Sequence, residues 1–212
     1  MSGQQQDWHF MSGEAKINKH TWASSSISAL VSRCSYGLHF TGPAVAIDTG
    51  ESSGLIASDA AVRALREGAC QTAFASSASW ISNPYELITL CAAGFISKSG
   101  QTRVFDETSD GYTKGEGVVT LLLRRHKDEL KDQDLRAVPD ARGLILGSGV
   151  NNKGQSSSLG SPSGPAIQDV IGRASRDANS PIFLMDTIEA SASGDKLSDQ
   201  MELMAVASLR CK

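Results

Sequence analysis

Residues 41–68 read TGPAVAIDTGESSGLIASDAAVRALREG, and the order of side-chain types in that stretch decides the fold class. AVAID is a short apolar run with β-branched residues, the pattern of one strand in a covered parallel sheet. Gly50 then breaks the run. From Ser53 onward Leu55, Ile56, Ala60, Ala61, Val62, Ala64 and Leu65 recur at helical spacing, Arg63, Arg66 and Glu67 form a polar edge, and Gly68 marks the stop. A helix this apolar is expected to lie centrally. Its N-terminus aims backbone N–H groups at the turn before it, a place that favours negative charge, and the side chain there is Glu51.

The same stretch resembles the nucleophile segment of β-ketoacyl synthases, whose pattern is T-G-P-x-x-x-x-D-T-A-C-S-S-x-L. Thr41, Gly42, Pro43, Asp48, Thr49, Ser52, Ser53 and Leu55 agree with it. Gly50 replaces the alanine and Glu51 the nucleophilic cysteine. FDETSDGYTKGEG at 105–117 resembles the family's F-D-x-x-A-D-G-Y-x-x-G-E-G, and GLILGSGVNNKG resembles its V-x-x-x-A-V-N-Q-D-G, with Asn151 and Gly154 shared. Arg33, Ser35 and Tyr36 fit the family's G-R-I-S-Y approach. EASASGDKLSDQMEL stands where the family has E-A-H-G-T-G-T-x-x-G-D-P-x-E. Glu189, Ala190, Gly194 and Glu202 can be laid against that pattern, and the catalytic histidine falls on Ser191. The family's second histidine would fall beyond Lys212.

Composition narrows the remaining classes. The 40% hydrophobic content of 212 residues supports a real core in one large domain or two small ones. Twenty basic against 23 acidic residues, without a basic run, argue against a nucleic-acid partner. Cys34, Cys70, Cys91 and Cys211 are widely spaced and form no C-x-x-C pair, so they read as reduced thiols, and no metal or cofactor site is indicated. No stretch has the length of a membrane span and residues 1–20 lack the apolar core of a secretory signal, so an intracellular protein, in the cytoplasm or an organelle interior, is expected. The internal K-D-E-L at Lys127 to Leu130 is no address.

Taken in order, residues 1–20 read as a polar arm, and Thr21 to Leu38 as a helix giving way to extended chain near Tyr36. CQTAFASSAS reads as a strand, Tyr85 to Ala93 as a short helix and VVTLLLRR as a buried strand whose basic flank holds His126. HKDELKDQDL is a solvated connector. GLILGSGV offers a strand, Gly164 onward a helix with Ile167, Val170 and Ile171, Pro181 to Asp186 a strand, and Lys196 to Leu209 a last amphipathic helix. Ser52 and Ser53 are expected to cap the helix that follows them. Trp22, Trp80, Phe95 and Phe105 are expected to pack in the core or in loops.

Condensation as the resemblance implies it needs a thiolate at the helix N-terminus and two imidazoles for the developing enolate and oxyanion. A carboxylate at position 51 forms no acyl thioester, and its negative charge would repel a malonyl group. A decarboxylase would still use the histidines. One rival enzyme reading rests on Gly50-Glu51-Ser52-Ser53-Gly54, a G-x-S-x-G turn between strand and helix with Ser52 as a hydrolase nucleophile. That chemistry needs a histidine downstream, and the only one is His126 in a charged flank.

The expected architecture is α/β: a partial thiolase-like fold with a mixed sheet and a buried central helix. The division is an arm at 1–20, the end of the ketosynthase N-terminal half at 21–135, and the start of the C-terminal half at 136–212. The expected protein is an inactive ketosynthase-like accessory subunit, whose open sheet edges call for a protein partner. The alternatives are a degenerate acyl- or pantetheine-binding or malonyl-decarboxylating component, and the serine hydrolase.

Overall fold

The computed structural model describes residues 26–81, 84–125 and 141–210, and these form two compact units. The first takes the chain up to Leu87 together with the segment that begins at Gly115, and the second takes Ile88–Lys114 with the C-terminal part. The polar arm, the connector, His126 and Trp22 lie outside the described residues.

In the first unit, helix α1 (Ile27–Leu38) runs on through Tyr36 and Leu38, where extended chain was expected. It ends at His39, whose φ of 57° is left-handed, while the Phe40 amide closes back on the Ser35 carbonyl at 2.9 Å. This wrap satisfies last-turn carbonyls that an extended exit would leave open. Helix α2 (Ser53–Arg66) begins where the apolar periodicity begins. Strand β1 (Thr72–Ser79) pairs antiparallel with β2 (Gly117–Arg124), in a register from Thr72↔Arg124 to Ser79↔Gly117. α2 lies directly on β1, since a Cβ on Gly54 would meet the Ser77 Cβ at 3.0 Å. Val62, Leu65 and Ala75 form the buried core between them.

Further sequence expectations are corrected in this unit. AVAID joins no ladder among the described residues, where an isolated bridge links Thr49 and Glu51. α2 is buried on one face and not all round, with Leu55 79% exposed. The sheet among the described residues is two-stranded and antiparallel instead of mixed, and β2 is exposed along nearly its whole length. A strand buries its side chains only when layers cover both faces, and here α2 covers one.

The second unit is built on helices α4 (Gly164–Asp177) and α5 (Lys196–Arg210), which pack on each other and on a 3-10 turn at Ile182–Leu184. Helix α3 (Pro84–Ala92) bears out the short helical piece read from the sequence. Ile182 and Ala205 are buried, and Gln168 Nε2 donates to Ser208 Oγ across the two helices at 2.9 Å. Pro181 to Asp186 is therefore a turn and not a strand.

Residues 144–151 likewise form no ladder but run along α4. A Cβ on Gly147 would meet the Ala178 amide nitrogen at 2.4 Å and the Ala174 carbonyl oxygen at 2.6 Å, and one on Gly149 the Val170 oxygen at 2.6 Å. The two glycines let backbone lie on backbone, and side chains of α4 complete the contact. Ser148 N–H donates to Asp177 Oδ2 at 2.9 Å, and Asn151 Nδ2 to the Ala166 carbonyl at 2.8 Å. Gly147→Ala should therefore cost about 1–3 kcal/mol through overpacking. Thermal melting with amide exchange in α4 checks this, and an unchanged midpoint would refute the close packing.

Candidate functional site

The turn before α2 is organised by serine hydroxyls. Gly50 has a φ of 66°, a region open to glycine, at the place where the family pattern has alanine. Ser53 Oγ accepts the Thr49 N–H at 2.9 Å and donates to the Gly50 carbonyl at 2.6 Å. Ser52 Oγ donates back to the Thr49 carbonyl at 2.9 Å, and lies 3.0 Å from Thr49 Oγ1. Neither hydroxyl caps the helix as expected, because Ser52 at the N-cap is already helical and its side chain is turned away from the N2 and N3 amides. Glu51 is exposed, and its carboxylate has no hydrogen-bond partner among the described residues.

The second candidate position, Ser191, lies in the other unit, in a loop held by the first two turns of α5. Glu202 accepts the Ser191 N–H through Oε1 at 2.8 Å and the Ala192 N–H through Oε2 at 3.0 Å. Asp199, only 3% exposed, accepts the Gly194 N–H at 3.2 Å and the Ser193 hydroxyl at 3.3 Å on Oδ1, and the Phe105 N–H at 3.1 Å on Oδ2. Asp195 caps α5, its Oδ2 accepting the Ser198 N–H at 2.8 Å. Gly194 touches the 105–111 loop so closely that a Cβ would meet the Gly111 oxygen at 2.6 Å, and its own carbonyl accepts the Gly111 N–H at 3.0 Å. Asp110, next in chain, accepts Ser97 Oγ at 2.6 Å and Lys98 N–H at 3.1 Å.

Asp199 is the residue that sequence reasoning missed. Laid without a gap, the pattern E-A-H-G-T-G-T-x-x-G-D-P-x-E puts its aspartate on Asp199 and its glutamate on Glu202, the two carboxylates that hold the loop. Ala192 takes the place of a glycine in that pattern and has a φ of 48°.

Residues 1–129 match the N-terminal domain of β-ketoacyl synthases, and residues 142–212 match their C-terminal domain. The chain belongs to the β-ketoacyl synthase family. It is 34% identical over 190 residues to the pikromycin polyketide synthase component PikAII of Streptomyces venezuelae, covering 90% of this chain and 5% of that protein. It is 30% identical over 194 residues to the highly reducing polyketide synthase ltbA of Aspergillus luteorubrus, covering 92% of this chain and 6% of that one. Among solved structures, the ketosynthase from module 6 of the bacillaene synthase of Bacillus subtilis superposes with a TM-score of 0.78 at 26% identity, covering 92% of this chain and 35% of that chain. A ketosynthase domain of the Streptomyces albus oxazolomycin synthase gives 0.76 at 30% identity, covering 88% and 32%.

This chain therefore has a partial thiolase-like fold, and spans about a third of a solved ketosynthase. No helix among the described residues is long and apolar enough to cross a membrane.

Two outcomes follow from the loop of the second unit. An L-residue in the left-handed region carries strain that glycine lacks, so Ala192→Gly should stabilise the protein by about 0.5–1 kcal/mol, read as a rise in melting temperature. A fall would show that the loop does not hold residue 192 at positive φ.

The second outcome concerns acid. The carboxyls of Asp110, Asp106 and Asp169 all lie below their ordinary value of 3.8, held down first by hydrogen bonds from Ser97, Thr108 and Asn151 respectively. A lowered folded pKa gives stability that is complete above the unfolded value and is lost as pH falls through the folded one. Melting temperature should thus decline below about pH 4, and Asp110→Asn should flatten that decline. A titration with equal slopes in both proteins would contradict the assignment.

Proposed function

We propose that this ketosynthase-like chain is catalytically inactive and serves as a structural or accessory subunit of a larger assembly. The observation that carries the reading is Glu51, exposed at the turn into α2 where the family pattern has its cysteine. A carboxylate there cannot take an acyl group as a thioester, and it repels a malonyl carboxylate. Ser191 at the histidine position supports the same reading, because a serine hydroxyl is a poor general acid or base at neutral pH. Among the described residues neither Glu51 nor Ser191 makes a side-chain hydrogen bond, so these substitutions leave the surrounding turn and loop intact.

The accessory role is supported by the exposed apolar side chains of the first unit, including Leu55, Phe74, Val118 and Leu122. A relative that is a component of a polyketide synthase fits membership of a larger assembly. The hydrolase reading is disfavoured by Ser52, whose hydroxyl donates to the Thr49 carbonyl.

Incubation with radiolabelled acyl and malonyl thioesters should leave the protein unlabelled and produce no condensed or decarboxylated product. Glu51→Cys should become labelled but still not condense, since Ser191 offers no imidazole. Stoichiometric labelling of the unaltered chain, or condensation by Glu51→Cys alone, would overturn the proposal.

A further inference from the structure

The second unit holds a cleft of about 280 Å³ between the 105–111 loop and one side of α5. Lys196, Asp199, Gln200 and Leu203 line it from the helix, at the spacing that keeps residues on a single helical face. Phe105, Asp106 and Glu107 line it from the loop. The two walls are tied together, because the Phe105 N–H donates to the buried Asp199 at 3.1 Å. Phe105 sits there at a φ of 54°, a left-handed setting that an L-residue keeps only when its surroundings impose it.

The lining is divided in its chemistry. Phe105, 50% exposed, and Leu203, 55% exposed, supply an apolar surface. Asp199 is already committed to its three donors. Four other groups are not committed in this way. Among the described residues the Glu107 carboxylate, the Lys196 ammonium and the Gln200 amide make no hydrogen bond or ion pair. Asp106 uses Oδ1 alone, which accepts the Thr108 N–H at 2.7 Å and its hydroxyl at 2.6 Å, so Oδ2 is left over.

Opposite charges that line one cleft without pairing with each other suit a ligand that carries both. We propose that this cleft binds an apolar α-amino acid as its zwitterion. The ligand's ammonium group meets Asp106 Oδ2 and Glu107, its carboxylate meets Lys196 and the Gln200 amide, and its side chain lies on Phe105 and Leu203. A volume just below the roughly 300 Å³ at which pockets for drug-sized ligands begin fits so small a molecule. The charges also select against near relatives of it. An alkylamine would leave Lys196 with no counter-charge from the ligand, and a fatty acid would leave Asp106 and Glu107 with none.

Calorimetric titration of the purified full chain with L-leucine tests the site, beside isoamylamine, which lacks the carboxylate, and 4-methylpentanoate, which lacks the ammonium group. Leucine should bind with a Kd on the order of 1 mM, and each analogue about tenfold more weakly or worse. Lys196→Gln and Glu107→Gln should each weaken leucine binding by about tenfold. Both side chains are exposed, so the circular dichroism of the variants should match that of the parent. Backbone amide shifts on addition of leucine should map to residues 105–109 and 196–203.

No saturable binding, an analogue that binds as well as leucine, variants with unaltered affinity, or amide shifts that map elsewhere would each overturn the assignment. None of these outcomes bears on acyl labelling at position 51, so the two proposals fail separately.

Discussion

The carboxylate of Asp199 is almost wholly withdrawn from water, yet it accepts three hydrogen bonds, from Phe105, Ser193 and Gly194. A buried carboxylate lacking such partners would be destabilising, since leaving a buried hydrogen-bonding group unsatisfied typically costs about 1–3 kcal/mol and more when it is charged. The second unit therefore takes its shape from this side chain. The 105–111 loop and the 191–194 loop come from distant parts of the sequence, and α5 joins them because one aspartate in its first turn faces both. Glu202, further along the same helix, fixes the amides of the residues that precede them.

The first unit depends chiefly on contact area, with the buried Asp59 carboxylate paired to Arg63 within α2. α2 rests on β1 through Gly54, Val62 and Leu65, and the Phe40 ring stacks on Phe74 at 5.3 Å. Burial of one face gives the pair of strands a reason to hold together, but leaves apolar side chains in water at roughly 25 cal/mol per Å² that association would recover. Scaffold and chemistry are separable in both units. The hydrogen bonds that shape the 48–53 turn and the 191–194 loop run through Ser52, Ser53, Ser193, Asp199 and Glu202, and not through the side chains of Glu51 or Ser191.

Elements with a strong period were legible in the sequence. The helices at Ser53, Gly164 and Lys196 were read from spacing that matches their structures, and the strand at Thr72 from its place after the Gly68 turn. AVAID, GLILGSGV and PIFLMD looked equally strand-like and form no ladder among the described residues; a strand is a property of two segments, and an apolar run in one does not supply the other. α1 outran its expected end because Tyr36 and Leu38 are as compatible with helix as with extended chain, and the left-handed His39 decides the matter. Glu51 and Ser191 were visible from the family pattern. Asp199 was not singled out, since its importance comes from a bond to a residue 94 positions away.

That long reach also sets an order of events during synthesis. A ribosome releases residues 105–111 well before it releases Gly194 and Asp199, so the Phe105 amide and the backbone of Gly111 have no partners while the intervening chain is made. The first unit meets no such delay: its last strand, β2, is complete at Arg124, and β1 is already waiting for it. Newly made chain thus has a period in which the first unit can close, while the loop at 105–111 must remain open until α5 emerges. Loop closure over so many residues is slow relative to local pairing. The two units are expected to mature at different times, the earlier one presenting its apolar strand edge before the later one is built.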